Sequence, residues 1–250
     1  MKKLIILFMM IISTLSFAGK KLYVGTNAEF KPYEYLEGDK ITGFDIDFMD
    51  AIGKEIGYEV HWVNMGFDGL LPALQMKKVD AVIAGMSQTP ERQKAVDFSM
   101  PYMFTKSEHY VIVNENSTFK TKEDLQGKTA GVQMGSMQEQ FAINNGSVPK
   151  LYNTFTNALM DLQNGKVDCV IIADNSGKEY LNTMDRIKKI DSIIDPKPGA
   201  SIAFRKSDKE LAEKFSDAIV ELKTTKEYSD LVEKYFPERF EDFKAQNLTK

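Results

Sequence analysis

The sequence predicts an α/β fold made of two successive units, each a mostly parallel sheet flanked by helices. Three observations predict it. Short apolar strands alternate with segments of helical spacing, the order that builds parallel sheets. Within the segments 80–84 (after its leading Asp80) and 169–172, apolar residues fall at consecutive rather than alternate positions, as in strands covered on both faces. The alternation also restarts near residue 109 of a 250-residue chain, long enough for two domains of ordinary size.

Residues 1–18 stand apart from the fold. Lys2 and Lys3 precede the apolar run 4–12, and Ser16, Phe17 and Ala18 offer the small-bulky-small spacing of a cleaved signal peptide. Ser13, Thr14 and Ser16 interrupt the apolar stretch, which is short for a bilayer span. No cysteine lies near the cleavage site to carry a lipid, so the mature chain is expected free in a periplasm.

Residues 21–25 read as a strand ending at glycine, followed by a loop over 26–35. Phe48, Ile52 and Ile56 share one face of a helix over 48–57, and 58–63 read as a strand. Residues 70–78 are a helix begun after Gly69, with Pro72 in its first turn, where a missing N–H costs nothing. Residues 80–84 are a buried strand. In the second unit 109–113, 129–132 and 168–173 are strands, and 122–126, 137 onward and 157–164 are helices, the first with Thr121 as a candidate cap. Residues 201–204 add a strand, 208–223 and 226–235 closing helices, and 238–250 a polar tail. The two units are not recognisable repeats of one another.

Loss of Lys2 and Lys3 with the leader takes the formal charge from -4 to -6. Acids and lysines are interspersed, and no basic stripe exists to neutralise phosphates, which argues against nucleic-acid binding. Cys169, the single cysteine, lies in an apolar run and reads as a small buried hydrophobe. No metal-ligand spacing, nucleophile elbow or phosphate loop is present, so neither metal nor cofactor is expected. His61 and His109, the only histidines, fall in a strand and in the apparent crossover and read as structural.

Five segments carry a more specific message. They are GTNAEFKPYEY (25–35), GFDID (43–47), FDGLLPAL (67–74), DAVIAG (80–85), and MSQTPER (86–92) leading to VDFS (96–99) and Pro101-Tyr102. In this order and spacing the chain resembles the amino-acid-binding branch of bacterial extracellular solute-binding proteins, family 3, which serve polar amino-acid ABC transporters. The resemblance covers nearly all of the mature chain. It implies a two-lobed periplasmic binding protein fold with a two-segment hinge. Lobe one would take residues 19–107 and 197–250, lobe two 108–196, with crossings near 106–110 and 196–201. It also implies a monomer that delivers a free amino acid to an inner-membrane permease and catalyses nothing.

A free amino acid carries a carboxylate and an ammonium on one carbon, and burying both requires charge-assisted hydrogen bonds to each. Arg92 offers a planar guanidinium for two parallel bonds to a carboxylate, the role the resemblance implies; a solvated helix arginine is the plainer alternative. Ser87 follows a buried strand at its C-terminal end, where open α/β sheets place ligands. Gly85 lets backbone approach closely, unless it is simply a turn, and Met86 lies between them. Ser136 and Met137 open a helix after a glycine loop, so their N–H groups suit a carboxylate; relatives often have threonine where Met137 stands. Asp174 matches the acidic partner of the ammonium, with a helix cap as the alternative. The resemblance further places Phe30 and Phe67 beside the ligand side chain. Asn27 and Gln88 are able to donate or accept hydrogen bonds there, and Glu29 or Glu34 to supply negative charge, with a structural role in the loop as the alternative for Glu34. Asn27 stands where the family frequently has aspartate, which removes one anionic contact. The ligand expected is basic or polar: arginine, lysine, histidine or glutamine. Two other readings stay open, a cyclohexadienyl dehydratase and a sensor that signals to a receptor.

Overall fold

The computed structural model describes residues 19–103, 108–195 and 199–241. In the first part of the chain β1 (Lys20–Thr26), β2 (Glu29–Phe30), β3 (Glu34–Glu37) and β4 (Lys40–Thr42) lead to α1 (Phe44–Glu55). Then come β5 (Tyr58–Asn64), α2 (Phe67–Gln75), β6 (Ala81–Val82), α3 (Pro90–Ala95) and β7 (Asp97–Phe98). The second part holds β8 (Glu108–Asn114), a 3-10 turn (Lys122–Leu125), β9 (Thr129–Gln133), α4 (Met137–Asn144), β10 (Val148–Tyr152), α5 (Phe155–Gln163), β11 (Cys169–Ala173), α6 (Asp174–Thr183) and β12 (Ile187–Ile194). The chain closes with β13 (Ala203–Phe204), α7 (Lys209–Leu222) and α8 (Lys226–Tyr235).

Two five-stranded sheets result, β5-β1-β6-β13-β7 and β10-β9-β11-β8-β12, with β2, β3 and β4 forming a small third sheet. In each large sheet four strands run one way and one runs against them: β13 lies antiparallel between β6 and β7, and β8 antiparallel between β11 and β12. The reversed strand is in both cases the first after the chain passes from one sheet to the other. Each lobe is therefore mostly parallel, and β13 carries the returning chain back into the first sheet. The leader lies outside the described residues, as do 242–250 of the tail and parts of both expected crossings, 104–107 and 196–198. Where the crossings are described they are tied together: Ala200 N–H donates to Met103 O and Tyr102 N–H to Ala200 O, each at 2.9 Å.

The consecutive apolar strands are covered on both faces. Ala81 and Ile83 face the aromatic core of α1, α7 and α8, built on Phe44, Phe48, Phe215 and Tyr228, while Val82 and Ala84 face α2. In the second lobe Cys169 and Ile171 pack against Phe141 and Leu125, and Val170 and Ile172 against Phe155 and Leu159. Cys169 is fully buried, and that burial pushes its thiol up to about 12.

Several helices begin earlier than their apolar spacing indicates. The α1 helix starts at Phe44 because Phe44 and Asp45 N–H donate to the carbonyls of Pro32 and Tyr33, which satisfies first-turn donors that spacing cannot reveal. Gly43 is required there, since its φ is 135° and a Cβ would lie 2.2 Å from Tyr33 O. The α2 helix starts at Phe67 rather than 70, so Pro72 is interior and removes the N–H that would have paired with Asp68 O. The loop expected over 26–35 contains β2 and the start of β3. The 122–126 helix is a single 3-10 turn in which Asp124 accepts from the Lys120 and Thr121 N–H groups.

Candidate ligand-binding site

Between the lobes lies a cleft, partly open to solvent, whose empty space comes to about 530 Å³ with that open part counted. From the first lobe Asn27, Phe30, Phe67, Gly85, Met86, Ser87 and Arg92 line it, and from the second Ser136 and Met137. A smaller space of about 410 Å³ adjoins it across Phe30, Gly85 and Ser87, and Asp174 lines that one. The structure thus brings most of the residues singled out in the sequence, though not Gln88 or Glu29, to one place, at the C-terminal ends of β1, β6 and β9 and at the N-termini of α4 and α6.

Arg92 is the pivot. Thr89 caps the short α3 helix by accepting from Arg92 N–H at 3.2 Å, which sets the residue's direction. Its Nη1 donates to Ser87 O at 2.9 Å, its Nη2 reaches Gly135 O of the other lobe at 3.1 Å, and the guanidinium lies 5.2 Å from the Phe67 ring centroid. Burial pushes the guanidinium down to about 10, with nearby Asp195 pulling the other way; it remains charged at neutral pH. Phe67 is therefore a shelf for Arg92 as well as a wall of the cleft.

Gly85 has φ 53°, and a Cβ there would meet Phe30 Cε1 at 2.5 Å. Its N–H donates to Asp45 Oδ2 at 2.7 Å, so the GFDID segment holds the loop after β6 in place. Phe30 stacks on Tyr33 at 4.9 Å. Asn27 is engaged at both ends of its amide: its Nδ2 donates to Met65 O and its Oδ1 accepts from Gln133 Nε2 across the cleft, both at 2.9 Å.

Four expectations change. Ser136 N–H points back to Gln133 O at 3.3 Å and its Oγ donates to the same carbonyl at 2.6 Å, leaving Met137, first residue of α4, as the helix-start donor. Gln88 faces away from the cleft, donating to Ser99 O at 3.0 Å and Ser201 Oγ at 2.8 Å. Asp174 is the first residue of α6 rather than its cap, and its Oδ1 accepts from Asn175 N–H at 2.9 Å. His109 lies on β8, not in a crossover, and lines the cleft; the Gln138 amide donates to its Nδ1 at 3.1 Å, and burial pushes it down to about 4. His61 pairs with Glu59 at 3.2 Å on β5, outside the cleft.

Sequence reasoning missed Gln133, Gln138, Phe155 and Asp195, which also line the cleft. A strand-end position was the available signal for Gln133, next to the strand expected over 129–132; Asp195 had none, since the strand before it was not foreseen. Glu34, one of the two acids considered as a source of negative charge, has no exposed surface and lines the cleft, whereas Glu29 is not among the lining residues. Burial raises its carboxyl well above the ordinary range, and neighbouring Asp45 raises it further. Two contacts outside the cleft also join the lobes: Lys31 pairs with Glu179 at 3.1 Å, and Ser176 Oγ donates to Lys31 O at 3.5 Å.

Two lobes joined by paired crossings, with polar groups from both converging on one cleft, define a solute-binding protein. The chain belongs to the bacterial extracellular solute-binding proteins, family 3, whose pattern matches residues 22–238. It is 38% identical over 224 residues to the arginine-binding extracellular protein ArtP of Bacillus subtilis, covering 87% of this chain and 86% of the relative. It is also 38% identical over 218 residues to a probable histidine-binding protein of Campylobacter jejuni, covering 86% and 84%. Among solved structures, an ancestral arginine-binding protein bound to arginine aligns with TM-score 0.79 and 38% identity, over 88% of this chain and 99% of that one. An ancestral arginine-binding protein bound to glutamine aligns with TM-score 0.79 and 38% identity, over 86% of this chain and 97% of that one. The relatives named here are binding proteins rather than enzymes.

Proposed function

We propose that the chain captures a free basic or polar L-amino acid, arginine foremost, in the periplasm and delivers it to an inner-membrane ABC permease as a monomer, without transforming it. The observation that carries this reading is the distribution of charge in the cleft. Arg92 and the start of α4 suit an α-carboxylate, while Asp174 and the Gly85 carbonyl lie toward the other side for an α-ammonium. Asn27 is neutral and bonds Met65 O and Gln133, so a cationic side chain would draw on a cleft carboxyl, with Glu34 the one we favour. Phe30 and Phe67 supply aromatic faces for a planar guanidinium. Lobe one, residues 19–107 and 197–250, and lobe two, 108–196, would swing about the two crossings, with the ligand bridging contacts from both. The buried, neutral His109, hydrogen-bonded by Gln138, gives no support to the dehydratase reading.

A thermal-shift screen of the twenty amino acids tests the ligand class. A ligand at about 100 times its Kd stabilises by about 2.7 kcal/mol, which raises Tm by about 5–10 °C for a chain of this size. Arginine is expected to give the largest shift. A screen in which no basic or polar amino acid moves Tm overturns the proposal, as does turnover of prephenate or arogenate.

A further inference from the structure

Glu34 and Asp45 form a carboxyl pair sealed beneath the cleft. Both are completely buried. Asp45 Oδ2 accepts from Gly85 N–H and from Tyr102 O–H, each at 2.7 Å. Its Oδ1 and both oxygens of Glu34 meet no N–H or O–H donor among the described residues. Two ionised carboxylates side by side in a low-dielectric interior repel strongly, and a shared proton relieves them. The donors on Oδ2 decide which partner is charged. They favour the ionised form of Asp45, whose carboxyl burial otherwise raises and which stands at about 6. Glu34 has no such donors, is raised well above its usual range by burial and by neighbouring Asp45, and keeps the proton. At neutral pH the pair therefore holds one proton. Of the two, Glu34 is the one that lines the cleft.

The surroundings leave that proton without a competitor. Asp45 faces Glu34 from α1 and Tyr102 from the segment after β7, with Tyr33 beside it in sequence. Across the cleft stand Arg92 from α3, His109 from β8 and Asp195 after β12. Tyr102 is held neutral by burial and by the two acids, and His109 is neutral because burial depresses it. Arg92 is committed to Ser87 O and Gly135 O, and among the described residues no lysine lines the cleft.

We propose that the Glu34–Asp45 pair exchanges its proton for the charge of the ligand side chain, so that a cationic amino acid binds with release of a proton and a neutral one does not. This rests on the cationic-ligand reading above. In the exchange the Glu34 O–H bond breaks, its electron pair stays on the carboxylate, and the proton passes to solvent buffer. One positive charge enters as one leaves, so the buried site keeps its net charge. The affinity for arginine then rises as pH rises, while that for glutamine, which brings the same head group, stays level. Discrimination between the two becomes a function of pH.

Titration calorimetry of the purified protein with arginine and with glutamine, at pH 7 in phosphate and in Tris, reads the exchange directly. The observed enthalpy for arginine is expected to change with buffer ionisation enthalpy by an amount equal to about one released proton. Glutamine is expected to show no such change, and the arginine Kd to tighten about tenfold between pH 6.5 and 7.5. Glu34→Gln carries no acidic proton, and its arginine enthalpy is expected to become independent of buffer; the wild-type slopes carry the test should that variant not fold. A buffer-independent enthalpy for arginine in the wild type overturns the exchange alone, as do equal slopes for the two ligands. Absence of any arginine heat or Tm shift overturns the ligand reading itself, and the exchange with it.

Discussion

Replacing Arg92 with alanine tests the head-group site most directly. A guanidinium carries five N–H donors in a fixed fork. Two directions are committed, to Ser87 O and Gly135 O, and the remainder can meet a carboxylate. Hydrogen bonds to charged groups contribute about 1.5–3 kcal/mol each, so losing a bidentate pair costs about 3–5 kcal/mol. Asp195 adds to the loss, because a ligand carboxylate without Arg92 would sit near a buried acid of like charge. The predicted result is a Kd weakened about 10²- to 10⁴-fold by titration calorimetry. Arg92→Lys keeps the charge but loses the fork and falls in between. A Kd for Arg92→Ala within tenfold of wild type would refute the placement of the carboxylate.

Two further outcomes follow from particular contacts. Gly85→Ala puts a Cβ 2.5 Å from Phe30 Cε1 at φ 53°; stability is expected to fall by about 1–3 kcal/mol in urea melts and affinity by at least tenfold, and unchanged values for both would count against the close approach drawn here. His109 is depressed from 6.5 to about 4 by burial, so between those values the unfolded chain binds more protons and stability falls as pH drops. That contribution is at most about 3 kcal/mol; His109→Gln should lose less stability than wild type between pH 7 and 4.5, and equal losses would refute it.

What the sequence made legible follows from which signals are local. Strands β6 and β11 were readable because both faces are covered and every position is apolar. Helix α8 matched its expected bounds because its capping threonine and apolar stripe are both local features. Strand β12 escaped because a register shift between Lys189 and Asp191 breaks its alternation. Strand β10 escaped because it is a largely exposed edge strand containing Pro149. Helix α6 is polar, and its Gly177 is there because a Cβ would come within 2.9 Å of the Tyr110 ring. The same division holds at the cleft. Residues just past strand ends were found from chemistry and motif together. His109, Gln133 and Asp195 were not, because which end of a second-lobe strand meets the first lobe is a property of the assembled pair. Glu34 looked like a loop acid until Gly43 brought β3 against the start of α1.

The contacts that join the lobes argue for how closure and capture are coupled. The Lys31–Glu179 pair is about half exposed on each side and stabilises by less than about 1 kcal/mol. The buried Asn27–Gln133 bond contributes about 1 kcal/mol by the usual measure. Contacts of this size cannot fix a lobe orientation by themselves, since a shift from 1:99 to 99:1 takes about 5.5 kcal/mol. The balance has to come from groups that a bound amino acid engages on both sides at once. Arg92 is where the two demands meet: Nη2 already holds Gly135 O of the opposite lobe and Nη1 holds Ser87 O, and its remaining N–H groups are left for the proposed ligand carboxylate. A ligand that neutralises Arg92 and touches the start of α4 therefore strengthens the same junction that holds the lobes together.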